Sequence, residues 1–220
     1  MKRLYILCEG ETEEKFIKTI LDPYLQSVGI AATPIICATK RTAVKKYKGG
    51  VSSYGKIKNE LAKLCGENRN AMVTTMFDLY GLPHDTPGID KSFNDIYKKA
   101  EHIEEAVMNN IGNRFGNLFF NLVLHEFEGL LFSDVSAFKY ISDVDDGTIA
   151  LFRRIRASVE TPEHINDSPE TAPSKRIMSA IPTYSKITDG IDVAELIGIN
   201  CISAECRHFK KWITKILDRL

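Results

Sequence analysis

Short apolar runs that end in acidic residues recur along the chain. Residues 4–7 precede Glu9, residues 71–77 lead into Asp78, and residues 118–124 precede His125 and Glu126. Uninterrupted apolar runs bounded by turn-forming residues are typical of buried strands. The pattern predicts these three runs as central strands of one sheet, and residues 30–37 as a further strand.

Between these runs, apolar residues recur at helical spacing. Helices are predicted within residues 57–64 and 93–108, and another after residue 207, where Phe209, Trp212, Ile213, Ile216 and Leu217 form one stripe. Strands that alternate with helices indicate an α/β fold, with a mostly parallel sheet flanked by helices on both faces. A length of 220 residues suits a single domain over residues 1–220, with a core of about 1–140 and a helical C-terminal extension of about 141–220.

The first strand end carries two candidate metal ligands. Gly10 permits a tight turn after Glu9, and Thr12 is predicted to cap a helix that begins at Glu13. Carboxylates at that turn suit Mg²⁺, which is held by one or two carboxylates and keeps sites for water and phosphate. Alternatively, the acids only complement the helix dipole.

Asp78 repeats this arrangement at a second strand end. It follows an apolar run and precedes a turn at Gly81 and Pro83. Neighbouring parallel strands bring their carboxyl ends to one edge, so Glu9 and Asp78 are expected to share a cation with Glu126 or Glu128. The alternative is that Asp78 merely starts a turn.

The third strand end offers His125, Glu126 and Glu128 as metal ligands, or as a general base for a water nucleophile. Glu126 is favoured over Glu128 because it lies nearer the strand. Equally, a glutamate in the first turn of a helix needs no function, and His125 could be a core histidine.

Several cations could stabilise the negative charge that develops during phosphoryl transfer. Lys175 and Arg176 follow a polar, proline-bearing segment, and Lys186 lies further along the chain. Arg207 and His208 could contact phosphate, or simply begin the final helix. For each cation the alternative is a solvated surface position.

The overall charge limits how nucleic acid could be bound. Lys plus Arg and Asp plus Glu number 29 each, so the formal net charge is zero. This balance excludes a generally basic nucleic-acid coat and requires local patches. The best is the segment that contains Lys45 and Lys46, predicted as a loop over phosphate, with an ordinary basic surface loop as the alternative.

The cysteines and the amino terminus indicate the compartment. Five cysteines without a Cys-x-x-Cys pair argue against zinc and a disulfide framework, and Cys8 fits a core position. The amino-terminal apolar stretch is too short for a signal peptide, and no run approaches membrane-spanning length. A cytoplasmic protein that does not enter membranes is expected.

The acidic strand ends resemble the toprim domain, the metal-binding α/β module of type IA topoisomerases, primases and overcoming-lysogenization-defect (OLD) nucleases. Glu9 matches the glutamate of the first strand end, Glu13 the following acid and Asp78 the first aspartate of the Asp-x-Asp pair. The resemblance implies a toprim-like (Rossmann-like) fold and Mg²⁺ or Mn²⁺ as cofactor. Tyr80 occupies the second aspartate position, and a phenol is a poor Mg²⁺ ligand.

Further motifs extend the resemblance over nearly the whole chain. Residues 125–128, 171–177, 184–186 and 206–212 look like a prokaryotic toprim-like family, domain of unknown function 4276, related to RloB-type and OLD nucleases. This resemblance implies a Mg²⁺-dependent nuclease that acts beside an ATPase partner in anti-phage defence. The catalytic residues would be Glu9, Glu126, Lys175 and Arg176. The alternative is a non-catalytic sensor or scaffold that binds the ATPase.

Overall fold

A parallel sheet forms the centre of the computed structural model, which describes residues 1–37, 51–112, 114–166 and 171–220. Within these residues, strands β1 (Lys2–Cys8), β2 (Ile30–Ile36), β3 (Met72–Asp78) and β4 (Leu122–Val123) lie in the order β2-β1-β3-β4. All three pairings are parallel. The predicted α/β class, the strands β1 to β3 and the parallel pairing of β1 with β3 are confirmed.

The register places two acidic residues at neighbouring strand ends. Leu4 lies opposite Met72, and Cys8 lies opposite Met76. Glu9 therefore leaves β1 beside the point where Asp78 ends β3.

The third apolar run was wrongly predicted as a central strand. Only Leu122–Val123 forms regular strand, and β4 lies at an edge of the sheet. Leu118 makes an isolated bridge to Val73. Between these points the Thr75 hydroxyl donates to the Asn121 carbonyl (2.7 Å) and accepts from the Asn121 N–H (2.8 Å). A side chain thus takes the place of ladder hydrogen bonds, so the run follows β3 without continuous strand pairing.

The described helices surround this sheet. The helix predicted within residues 57–64 is confirmed. The helix predicted within residues 93–108 begins three positions later, at Ile96, because the Asp95 side chain caps it by accepting a hydrogen bond from the Tyr97 N–H (2.8 Å). A π-helical turn over Ile17–Leu21 joins the first two helices, and short 3₁₀ segments cover Leu79–Gly81, Phe127–Ser133, Val135–Tyr140 and Pro162–His164. The helices are α1 (Glu11–Phe16), α2 (Asp22–Gln26), α3 (Tyr54–Glu67), α4 (Ile96–Ile111), α5 (Asp146–Ala157), α6 (Pro173–Ala180), α7 (Asp189–Glu205) and α8 (Arg207–Arg219).

The start of α1 differs from the prediction. Gly10, rather than Thr12, is the N-cap, and the helix begins at Glu11. The Glu13 carboxylate accepts a hydrogen bond from the Gly10 N–H (2.9 Å), which satisfies a backbone donor at the helix start. The Glu13 side chain, and not the Thr12 hydroxyl, therefore sets the start of α1.

Two hydrophobic clusters cover the two faces of the sheet. Leu4, Ile6 and Cys8 of β1 pack in the cluster that includes residues of α1, α2 and α5 to α8. Leu7 points to the opposite face, where residues of α3 and α4 form the second cluster. The C-terminal helices, predicted as an extension, are thus packed in the same core as the first strand. Within the described ranges, no helix combines the length and apolarity needed to span a membrane.

Candidate functional site

Five acidic side chains lie at or just after the carboxyl ends of β1, β3 and β4. We call Glu9, Glu13, Asp78, Glu126 and Glu128 the acidic cluster. They influence one another electrostatically, since each of the other four raises the pKa of Asp78. The predicted acids of the three strand ends are therefore close neighbours in the fold.

Glu9 is half-buried and lies against the turn that follows β3. A Cβ added to Gly81 would stand 3.2 Å from the Glu9 Cδ and closer still to its Oε2, so the absence of a side chain at Gly81 makes room for this carboxylate. Burial, and secondarily the Glu13 charge, raise the pKa of Glu9 to about 7, while Lys186 acts in the opposite direction. A carboxyl with such a pKa exchanges its proton near neutral pH.

Glu13 is buried and combines two roles. It accepts a hydrogen bond from the Gly10 N–H at the start of α1, and it also belongs to the acidic cluster. Burial raises its pKa, backbone hydrogen bonds from its own residue and from Gly10 oppose the shift, and the Glu128 charge adds to it. Glu13 can therefore stabilise the start of α1 and belong to the acidic cluster at the same time.

Asp78 is the most perturbed acid of the cluster. Its Oδ1 is buried and has no hydrogen-bond partner among the described residues. Burial raises its pKa well above the usual range, and the charges of Glu13, Glu9, Glu128 and Glu126 raise it further. An unpartnered buried carboxylate oxygen is costly to maintain unless a bound cation or proton compensates it.

Glu126 and Glu128 differ in their surroundings. Glu126 is half-buried and accepts from the backbone N–H of Ser174 (3.1 Å) in the first turn of α6. Glu128 is 2% exposed and forms an ion pair with Lys186, whose Nζ lies 2.9 Å from Oε1. Burial still outweighs this pairing and raises the pKa of Glu128. Glu126, favoured from its position near the strand, is the more accessible of the two.

Lys186 is the cation that the structure brings to the acidic cluster. Burial lowers its pKa, but the charges of Glu128, Glu126 and Asp78 together with the Glu128 contact raise it overall. Its ammonium group thus stays charged and offsets part of the negative charge around it.

Tyr184 was not identified as a site residue from the sequence, although it lies two residues before Lys186. Its hydroxyl is buried and has no hydrogen-bond partner in the described part of the chain. Burial and then Glu128, Asp189 and Glu126 raise its pKa, which places the hydroxyl near the acidic cluster. A tyrosine in a loop gives no sequence signal of this kind, because its burial depends on how α6 and α7 pack.

The predicted metal site can be compared with this geometry. In the described ranges, no three His, Cys, Asp or Glu side chains stand in an arrangement that could hold a metal ion. The convergence of Glu9 and Asp78 with Glu126 or Glu128 on a shared cation stays a prediction. The donor chemistry fits a hard divalent cation, because the Asp78 Oδ1 has no hydrogen-bond partner among the described residues and four neighbouring carboxylates surround Asp78 closely enough to raise its pKa.

The other predicted site residues lie in varied places. Lys175 is exposed in α6, and the Arg176 Nε donates to the Thr171 carbonyl (2.6 Å). His208 is buried, with its Nε2 2.8 Å from the Glu104 Oε1, and its backbone N–H donates to Glu163. Arg207 is exposed beside the Tyr97 ring. Lys45 and Lys46 lie outside the described residues.

His125 and Tyr80 border the acidic cluster. His125 is buried and has φ of 64°, a left-handed conformation that a non-glycine residue rarely adopts. Its ring stacks on Tyr80, with centroids 5.0 Å apart and planes inclined by 20°. Backbone strain of this kind is often retained at functional sites. The stack joins the end of β3 to the segment that carries Glu126.

These features define a parallel α/β protein with a carboxylate cluster at the C-terminal edge of its sheet, the edge where open α/β sheets bind ligands. The chain belongs to the family described as Domain of unknown function (DUF4276), whose family model matches residues 8–217. No curated protein and no solved structure matched the chain.

The perturbed Glu9 carboxyl predicts a pH-dependent stability. Because its folded pKa of about 7 exceeds the ordinary value of 4.5, its stabilising contribution is complete below pH 4.5 and is lost as the pH rises through 7. Glu9→Gln in EDTA should therefore raise the free energy of unfolding by about 1–3 kcal/mol above pH 7 and by little below pH 4.5. Urea unfolding across this range measures the difference.

Glu11→Gln is the matched control, because Glu11 is exposed in the same turn. It should change the free energy of unfolding by less than about 0.5 kcal/mol at every pH. A Glu9→Gln effect that is independent of pH would contradict the assignment of the raised pKa to Glu9.

Proposed function

We propose that this protein is a Mg²⁺- or Mn²⁺-dependent nuclease that hydrolyses phosphodiester bonds in nucleic acid. The proposal extends to a toprim-like relation with RloB-type and OLD nucleases, a cytoplasmic location and a role as effector of an ATPase partner in anti-phage defence. The observation that carries it is the Asp78 carboxyl. One of its oxygens is buried with no hydrogen-bond partner among the described residues, and burial together with four neighbouring acids raises its pKa.

Such a cluster destabilises the folded protein at neutral pH, because buried like charges repel one another and lose hydration. Glu9 and Asp78 would hold the cation first, since they end the two neighbouring central strands. Glu13, Glu126 and Glu128 are the further candidate ligands. A divalent cation bound there would polarise a phosphate oxygen and lower the pKa of a coordinated water.

The chain's own residues supply the rest of the chemistry. Glu126 is the accessible carboxylate that can accept a proton from the attacking water as its oxygen bonds to phosphorus. The Lys186 ammonium lies at the acidic cluster and can stabilise negative charge on the phosphate as the bond to the leaving sugar oxygen breaks. Lys175 and Arg176 lie next to Ser174, which contacts Glu126, and remain candidates for the same task.

The alternative function, a sensor or scaffold that binds an ATPase without catalysis, is favoured by two observations. Tyr80 stands where the toprim pattern has its second aspartate. The carboxylates also do not stand in a ready metal-binding arrangement in the described residues. A cleavage assay separates the two functions.

Purified protein with Mg²⁺ or Mn²⁺, alone and with the proposed ATPase partner, should cleave single- or double-stranded DNA or RNA. Glu9→Ala should lose at least about 100-fold in rate, as expected when a group essential to charge stabilisation is removed. Glu11→Ala should retain the activity, because Glu11 is exposed outside the acidic cluster.

Equal rates for the wild type and Glu9→Ala would place the activity elsewhere or in a contaminant. Absence of cleavage under all these conditions, with intact binding to the ATPase, would instead support the sensor function.

A further inference from the structure

A cleft of about 460 Å³ lies beside the segments that carry Asp78 and Glu126. Tyr80 and His125 line it, and these residues follow Asp78 by two positions and precede Glu126 by one. The wall of the cleft is therefore continuous along the chain with two acids of the cluster, although none of the five acids is among its described lining residues. Its volume lies within the range of about 300–1,000 Å³ that small-molecule sites occupy.

The wall of this cleft is aromatic. Tyr80 is 56% exposed, and its ring stacks on that of His125. The ring is therefore accessible to solvent while His125 supports one of its faces. On the other side, the Tyr97 and His164 rings meet edge to face, with centroids 5.1 Å apart. The Tyr97 hydroxyl is fixed by a 2.7 Å hydrogen bond with Thr161. Nucleobases stack on fixed aromatic faces of this kind, and because Tyr97 is only 9% exposed, the face open to a base is that of Tyr80.

Cations lie beside these rings. The Lys99 Nζ is 6.0 Å from the Tyr80 ring centre, and the Arg207 guanidinium is 5.2 Å from that of Tyr97. The cleft also contains Asp95, which caps α4, and the exposed Glu160. Aromatic rings with adjacent lysine and arginine match a ligand that has both a flat base and a phosphate.

We propose that this cleft binds one nucleotide unit, with its base stacked on Tyr80 and its phosphate directed toward the acidic cluster. The unit belongs either to a single strand of nucleic acid or to a free nucleotide. This inference rests on the proposed function, because it names the substrate class of the same site. Tyr80 thereby gains a positive role at the position where the toprim pattern has an aspartate.

Binding is tested by fluorescence anisotropy with short labelled single-stranded DNA and RNA in EDTA, which removes any dependence on metal and on cleavage. Tyr80→Ala should bind about 5- to 150-fold more weakly, the range that loss of one base–aromatic stack produces. Tyr80→Phe keeps the ring and should bind within about twofold of the wild type. Tyr140→Ala is the matched control, because Tyr140 is an exposed tyrosine outside the cleft, and it should bind normally.

Two further probes identify the ligand. An oligonucleotide with an abasic position should bind the wild type more weakly and reduce the effect of Tyr80→Ala, because no base remains to stack. AMP and UMP contain no internal phosphodiester bond, so their affinity can be measured with Mg²⁺ as well as in EDTA. Tyr80-dependent binding of AMP or UMP that exceeds that of the oligonucleotides would identify a free nucleotide as the ligand.

The outcomes for the cleft and for hydrolysis are distinguishable. Tyr80-dependent binding without cleavage would reject the nuclease proposal and retain the nucleotide cleft. Cleavage with unchanged binding and KM in a folded Tyr80→Ala variant would reject the cleft and retain the nuclease. Wild-type protein that binds none of these probes would overturn the cleft proposal.

Discussion

Asp78→Asn is expected to lower the Mg²⁺-dependent cleavage rate by at least about 100-fold while making the protein more stable. The substitution removes an ionisable carboxyl whose pKa is raised by burial and by four neighbouring acids, so the folded state no longer bears the cost of ionising or protonating that group. At pH 7–8 without metal, the free energy of unfolding should increase by about 0.5–2 kcal/mol, the size common for substitutions that relieve functional strain. Cleavage rates and urea unfolding of the same preparation measure both effects.

The opposite signs of these two effects distinguish a functional acid from a structural one. Asp218→Asn is the control, because Asp218 is exposed in α8, and it should alter neither the rate nor the stability appreciably. Adding Mg²⁺ should stabilise the wild type more than Asp78→Asn, because a cation that binds the native state raises its stability. Loss of stability in Asp78→Asn would show that Asp78 has a structural role.

Trp212→Ala is expected to have the largest effect on stability. Trp212 of α8 is 2% exposed, its Nε1 donates to the Thr74 hydroxyl (3.0 Å) in β3, and its ring meets that of Phe209 edge to face. The substitution leaves a cavity against the sheet and should lower the free energy of unfolding by about 3–5 kcal/mol. Urea denaturation followed by far-ultraviolet circular dichroism measures the change.

Trp212→Phe separates packing from hydrogen bonding in this contact. It retains most of the ring but leaves the Thr74 hydroxyl without its donor, so a smaller loss of about 1–2 kcal/mol is expected. If Trp212→Ala lowers the free energy of unfolding by less than about 1 kcal/mol, α8 contributes little to the core on this face of the sheet. A separate unfolding transition for the C-terminal helices would lead to the same conclusion.

The predictions that succeeded concern segments whose pattern is local. The runs that became β1 and β3 are apolar over several consecutive residues, and α3 has apolar residues at regular helical spacing. Strands that alternate with helices favour parallel pairing, which brings the ends of β1 and β3 to one edge of the sheet, whereas the order that makes these strands neighbours is seen only in the structure. The start of α1 was wrong by two residues, because a glutamate side chain competed successfully with a threonine for the helix cap.

The predictions that failed or were missing depend on contacts between distant segments. Thr75 replaces ladder bonds to Asn121 with side-chain bonds, which no pattern within residues 118–124 reveals. Lys186 reaches Glu128 across more than 50 residues of chain, and Tyr184 becomes buried through the same packing.

The sequence by itself determined the α/β class, the positions of β1, β2 and β3 along the chain and the placement of acids after strand ends, because these follow from hydrophobic periodicity and from the short range of turn chemistry. Tertiary structure alone decided which cation faces the acids, which carboxylates are buried and how Tyr80 and His125 stack beside a cleft. Those properties depend on how deeply each side chain is buried and on distances of a few ångströms between side chains, which set pKa values and contacts. Both arise only when distant segments pack together.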